Sequence, residues 1–180
     1  MTDNTRFPLK PLDALTPEER SAYQAILANR GKLPRPFQAL LASPQVAETL
    51  ERHSAALWSG VLPRGVLESL FLCVATENRC SYQWDTHVGK AIEAGVPAEA
   101  VAQIRQGQVP SAPGPLADAL AFAQQMLRTR RVDATAFQRA REAFGERGIA
   151  ELCAFMGFAS TISMLLNVQV DPADPDARSD

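Results

Sequence analysis

The chain has 180 residues, carries 18 lysines and arginines against 20 aspartates and glutamates, and has a formal net charge of −2. That length holds one domain with a real core and is too short for two. With a pI near 5.7 and no lysine or arginine cluster among aromatics, the chain lacks the basic field that nucleic acid requires, and nucleic acid is not expected as a partner.

The N-terminal Met1-Thr2-Asp3-Asn4-Thr5-Arg6-Phe7-Pro8 is polar and lacks the apolar segment of a signal peptide, which predicts a cytoplasmic protein. Residues 1–12 read as an extended or disordered arm, 13–170 as a helical domain and 171–180 as a tail of the same kind as the arm. Thr16-Pro17-Glu18-Glu19 supplies a hydroxyl cap, a proline at the first helical position and a carboxylate at the third, so a helix starts there. Ser43-Pro44-Gln45 repeats that logic, Pro63 and Pro97 open further helices, and Gly95 and Gly145 stand where helix C-termini need positive φ. The predicted helices run at about 16–29, 35–42, 44–58, 63–79, 81–94, 97–106, 114–130, 133–144 and 146–167. Strand patterning is confined to Val168-Gln169-Val170, so the fold class is all-α. The proline-rich 108–115 segment is expected to join two halves of one helical domain.

Three cysteines, Cys73, Cys80 and Cys153, are an odd number without zinc-finger spacing and read as reduced thiols. No charged residue occurs from Leu152 to Val170, a length that raises the question of a membrane span. Ser160, Thr161, Ser163, Asn167 and Gln169 make it too polar, and the flanks carry no anchor pattern, so a buried core or subunit-interface helix is expected and no membrane.

The residues that carry chemistry lie between Glu68 and His87. Glu68 is the only charge between Arg64 and Glu77, on a helix apolar nearly all round, so it must be buried. Such a carboxylate has a raised pKa unless a partner holds it ionised; it serves as a general acid or base, or as a structural carboxylate paired with an arginine or a helix end. Cys80, Gln83 and His87 stand at i, i+3 and i+7, one face of a helix. His87 is either a proton-transfer group or a core histidine. Cys80, near a helix N-terminus, is either a reactive thiol or a small buried residue. Gln83 orients a substrate but moves no proton, Tyr82 and Trp84 are wall residues, and Asp85 is solvated. His53, on the stripe Val46, Leu50, His53, Leu57, reads as a core histidine or as a second group lining the same cavity. Glu68, Cys80 and His87 are metal-ligand types without any recognised zinc spacing, and no metal is expected.

These residues resemble a known family. Glu68, Cys80, Gln83 and His87 fall on the four positions of Glu-x11-Cys-x2-Cys-x3-His, the pattern of AhpD-like peroxidases in the carboxymuconolactone decarboxylase superfamily, with Gln83 where the second cysteine stands. Tyr82-Gln83-Trp84-Asp85-Thr86-His87 resembles a sister pattern, Tyr-Glu-Trp-x-x-His, with glutamine for glutamate, and Phe144-Gly145-Glu146, Glu151-Leu152 and Leu165-Leu166-Asn167 extend the likeness over nearly the whole chain. The resemblance implies an AhpD-like helical fold and a homo-oligomer, dimer, trimer or hexamer. It also implies a cofactor-free enzyme that transfers protons on a small acidic or lactone-like substrate through Glu68 and His87, with Gln83 orienting it. A thiol peroxidase using Cys80 and a non-catalytic small-molecule-binding module are the alternatives.

Overall fold

The structure, a computed structural model, describes residues 6–7 and 10–170. The arm and tail expected at 1–12 and 171–180 lie outside the described residues except for 6–7 and 10–12, and Leu12 already opens a short 3-10 turn, Leu12–Ala14. Eight α-helices follow: α1 Pro17–Arg30, α2 Arg35–Leu40, α3 Pro44–Trp58, α4 Arg64–Glu77, α5 Ser81–Glu93, α6 Ala98–Arg105, α7 Pro115–Thr129 and α8 Ala134–Asn167. No strand occurs among the described residues, and Val168 to Val170 form a turn. The two helices expected on either side of Gly145 are the two segments of α8, which kinks where Gly145 takes φ 69° and ψ −177°, a conformation open essentially to glycine alone.

Two compact units emerge, one formed by the described residues up to Ala56 together with those from Met164 onward, the other by Leu57–Ser163. The 108–115 connector therefore lies inside the second unit and does not separate two halves.

In the first unit, the start of α1 is the capping box its sequence announces: Glu19 N–H donates to Thr16 Oγ1 at 3.2 Å, and Thr16 N–H donates to Glu19 Oε2 at 2.9 Å. Leu15, Ala22 and Leu41 pack together with Tyr23 and Leu33. The buried Glu51 on α3 is met by Arg30 Nε at 2.5 Å, while Arg30 Nη2 donates to Ser54 Oγ at 2.7 Å. A buried carboxylate needs such a partner, since desolvation alone would disfavour its charge. The buried positions of α3 are Ala47, Glu51, Ser54 and Leu57, whereas Val46 and His53 are exposed.

The second unit is built on α4, whose ten residues Val66 to Ala75 are all buried, and α4 packs on α5, α6 and α7. The apolar residues that α4 carries on nearly every side require such a cover. Trp58, Phe71, Phe155 and Phe158 form an aromatic cluster, with Phe71 and Phe155 edge to face at 4.9 Å. Arg128 of α7 bonds Glu77 at the end of α4 and the Gly107 carbonyl. Gly107 has φ 69°, a left-handed conformation that favours glycine. By length and composition alone α8 is apolar enough to cross a membrane. Its buried Leu152, Phe155, Met156, Ala159 and Ile162 recur at helical spacing, as in a core helix.

Candidate active site

Glu68 leaves the middle of α4 with 1% of its surface exposed, and His87 leaves α5, the helix packed against it. His87 Nδ1 lies 2.7 Å from Glu68 Oε2. The other carboxylate oxygen is 3.7 Å from Nε of Arg64, one turn earlier on α4 and largely exposed. The imidazole stacks on Phe71 with ring centroids 3.8 Å apart and planes 15° apart, so hydrogen bond and stack together fix its orientation.

Burial is the largest influence on His87 and holds its pKa below the ordinary histidine value. The Glu68 hydrogen bond works in the opposite direction, and Lys90 adds to the lowering. The imidazole is therefore neutral at neutral pH. Where Nδ1–H donates to the Glu68 carboxyl group, Nε2 keeps its lone pair, which is the arrangement of an oriented general base.

Gln83 is 1% exposed and spent within the protein. Its Nε2 donates to the Phe71 carbonyl at 3.2 Å, and its Oε1 accepts from Ser163 Oγ at 3.0 Å. This corrects its reading as a substrate-orienting group: the amide ties α5 to α4 and to α8. It also holds the residue whose ring His87 stacks on.

Cys80 is buried at 3% exposure and lines a cleft of about 220 Å³ together with Arg79, Ser81, Trp84 and Arg105. Glu68, Gln83 and His87 are not among that cleft's lining, so the expectation of one cavity shared by all four residues is not met there. The reason is local. Cys80 is the N-cap of α5, with φ −111° and ψ 86°, and stands outside the helical register that places Gln83 and His87.

Trp84 is buried beneath the Arg105 guanidinium, 4.8 Å from its ring centroid. Tyr82, expected as a wall, is 43% exposed, and Asp85 is exposed as expected. His53 belongs to the first unit and is exposed, which overturns the core-histidine reading: of the stripe that suggested it, Leu57 is buried and Leu50 half-buried, while Val46 and His53 are exposed. No disulfide joins Cys73, Cys80 and Cys153, and burial pushes the pKa of the Cys73 thiol up to about 12. No three His, Cys, Asp or Glu side chains among the described residues converge as a metal site.

Sequence reasoning missed Phe71, Arg64, Ser163 and the arginines of the cleft. Phe71 and Arg64 were within reach, since they lie three residues after and four before Glu68, on the same helix face. Ser163 is 80 positions from Gln83 and left no local signal.

The family model for the carboxymuconolactone decarboxylase family matches residues 44–125. No curated protein matches the sequence. Among solved structures, an alkylhydroperoxidase AhpD core described as an uncharacterized peroxidase-related protein from Ralstonia eutropha JMP134 is 20% identical, with a TM-score of 0.73 over 91% of this chain and 88% of that one. The debrominase Bmp8 is 17% identical in two structures. A cysteine-to-alanine variant with 2,3,4-tribromopyrrole gives a TM-score of 0.69 over 93% and 91% of the two chains, and the apo form 0.68 over 92% and 91%. At these identities the likeness establishes a shared fold.

Proposed function

We propose that this chain, whose residues 44–125 match the carboxymuconolactone decarboxylase family model and whose fold is shared with an AhpD core, is a proton-transfer enzyme of the carboxymuconolactone decarboxylase type, acting on a small acidic or lactone-like metabolite. The observation that carries this reading is the 2.7 Å pair of a buried glutamate and a histidine whose pKa burial lowers. A base that is neutral at working pH, held in one tautomer by a carboxylate, is suited to take a proton from carbon beside a carbonyl and return it elsewhere. His87 Nε2 takes the proton and leaves a carbanion conjugated with the carbonyl, Glu68 stabilises the imidazolium that forms, and the imidazolium returns the proton to another carbon of that conjugated system, which completes an isomerisation; where the substrate also loses carbon dioxide, the carbanion this leaves takes up one further proton from solvent. No cofactor enters this scheme. The solved neighbours include both a peroxidase-related protein and a debrominase, so the fold alone does not select the reaction, and the site must.

The test is carbon-acid exchange. The protein, incubated in D₂O with a panel of small unsaturated lactones and keto acids, is expected to introduce deuterium at the carbon beside the carbonyl, followed by proton NMR. His87→Ala is expected to slow this by about 10² to 10⁴. Exchange that survives His87→Ala unchanged, or fails across the panel, would sink the proposal.

A thiol role for Cys80 is the second reading, favoured by its place in an open cleft beside Arg79 and Arg105. We further propose self-association through α8, whose Cys153, Gly157, Thr161 and Met164 form an exposed face without charge, Met164 being 68% exposed. A cytoplasmic setting accords with free thiols and an acidic, unexceptional surface.

A further inference from the structure

Most arginines around the second unit's helices are ion-paired: Arg64 with Glu68, Arg128 with Glu77, Arg139 with Asp118, Arg141 with Glu146 and Arg147 with Glu151. Arg79, Arg105, Arg130 and Arg131 have no such pair among the described residues, and of these four Arg79 and Arg105 share one cleft, the 220 Å³ cleft at the start of α5. The chain is not short of acid, having 20 carboxylate side chains for 18 cations, yet no acidic residue lines this cleft. Glu77, two positions before Arg79, is held by Arg128 at 2.5 Å.

The rest of the lining also lacks negative charge. The first turn of α5 carries no acidic residue and no side chain caps it, so the positive end of that helix is uncompensated where Ser81 and Cys80 meet the cleft. Arg105 is laid over the buried Trp84 ring, which orders its planar guanidinium in advance of any ligand. The Arg79 backbone is pinned at φ 50°, with its N–H bonded to the Thr76 carbonyl at 3.3 Å and the next amide, Cys80 N–H, to the Ala75 carbonyl at 2.9 Å. Two cations in one concavity repel, and an anion between them relieves that repulsion.

We propose that this cleft is a binding site for a small organic carboxylate, its anionic end held by Arg79 and Arg105 with the Ser81 hydroxyl as a further donor, and its carbon body against Ala75, Cys80 and Trp84. The volume lies below the roughly 300–1,000 Å³ of sites for drug-sized ligands, which limits the occupant to a small metabolite. The apolar floor selects an organic acid over a compact, strongly hydrated inorganic anion. The site is argued from its own lining and does not depend on proton transfer at Glu68 and His87.

Calorimetric titration of the full chain tests it without any need for turnover. Benzoate, used as the probe at low salt, is expected to bind one per chain, and benzamide, the neutral molecule of the same shape, at least about tenfold more weakly. Arg79→Gln and Arg105→Gln, at exposed positions, are each expected to weaken benzoate by about tenfold or more with the melting temperature unchanged. No benzoate binding, equal binding of benzamide, binding unaltered in both variants, or inorganic phosphate binding as tightly as benzoate would each overturn the assignment. The comparison of benzoate with benzamide is made on the unaltered protein and stands even if a variant fails to fold.

Discussion

Gln83 Oε1 accepts a hydrogen bond from Ser163 Oγ at 3.0 Å across 80 positions of sequence, inside the core of the second unit. Both groups are buried, with Ser163 at 0% and Gln83 at 1% exposure, so neither has water as a substitute partner. Removing one partner orphans the other, which costs about 1–3 kcal/mol. Gln83→Ala and Ser163→Ala are therefore expected to destabilise the protein individually and non-additively in the double variant, with a coupling of about 0.5–3 kcal/mol in urea unfolding. Strict additivity would show that the bond contributes nothing.

Glu68→Gln keeps the shape of the hydrogen-bonding partner while removing its charge. Because the Glu68 hydrogen bond is what raises His87 against its burial, the His87 pKa is expected to fall further in this variant. Proton exchange at substrate carbon should be lost along with it. NMR titration of the His87 ring reads the shift directly, and a rise in its pKa would contradict the pairing.

The same lowered pKa gives stability a pH dependence of definite sign. Below the ordinary value of 6.5 the unfolded chain binds a proton that folded His87 refuses, so acid favours unfolding. Stability is full above that value, declines as the pH falls from it toward the folded pKa, and levels off below both. Urea midpoints measured from pH 8 to pH 5 should show this decline in the wild type and a flatter profile in His87→Gln. Parallel profiles would remove His87 as the cause.

Thiol chemistry is expected to follow position. Cys153, exposed on α8, should be alkylated first, and Cys73, buried with a pKa near 12, last. Hydrogen peroxide is expected to carry Cys80 to a sulfenic acid at most, without dithiol-dependent turnover, because Gln83 occupies the position of the second thiol in the Cys-x2-Cys pattern. Sustained peroxide reduction by the unaltered protein would refute this, and Gln83→Cys is the change expected to introduce it.

The helices were legible in the sequence because their signals are local. Thr16, Pro17 and Glu19 satisfy or dispense with the amides at the start of α1 by themselves, and Gly145 breaks α8 because only glycine adopts its backbone angles. Glu68 was equally legible, since a lone carboxylate on a helix covered by apolar residues has nowhere to go but inward, and a buried carboxylate must find a partner. The pattern on α5 then identified His87 as the polar group able to meet it.

Tertiary packing decided the rest. Gln83 lies on the same helix face as His87, but that face is covered by α4 and α8, so its amide is consumed by Phe71 and Ser163 before any substrate could reach it. His53 sits on a stripe that looks apolar, yet the buried face of α3 centres on Ala47, Glu51 and Ser54, with Glu51 paired to Arg30, and of the stripe only Leu57 is buried while His53 is exposed. Cys80 shares a spacing with Gln83 and His87, but as an N-cap its backbone leaves the helix, and it opens into a separate cleft with Arg79 and Arg105. Periodicity specifies which side chains share a face; which face is covered, and by what, depends on contacts between residues distant in sequence, and those exist only once the helices have packed.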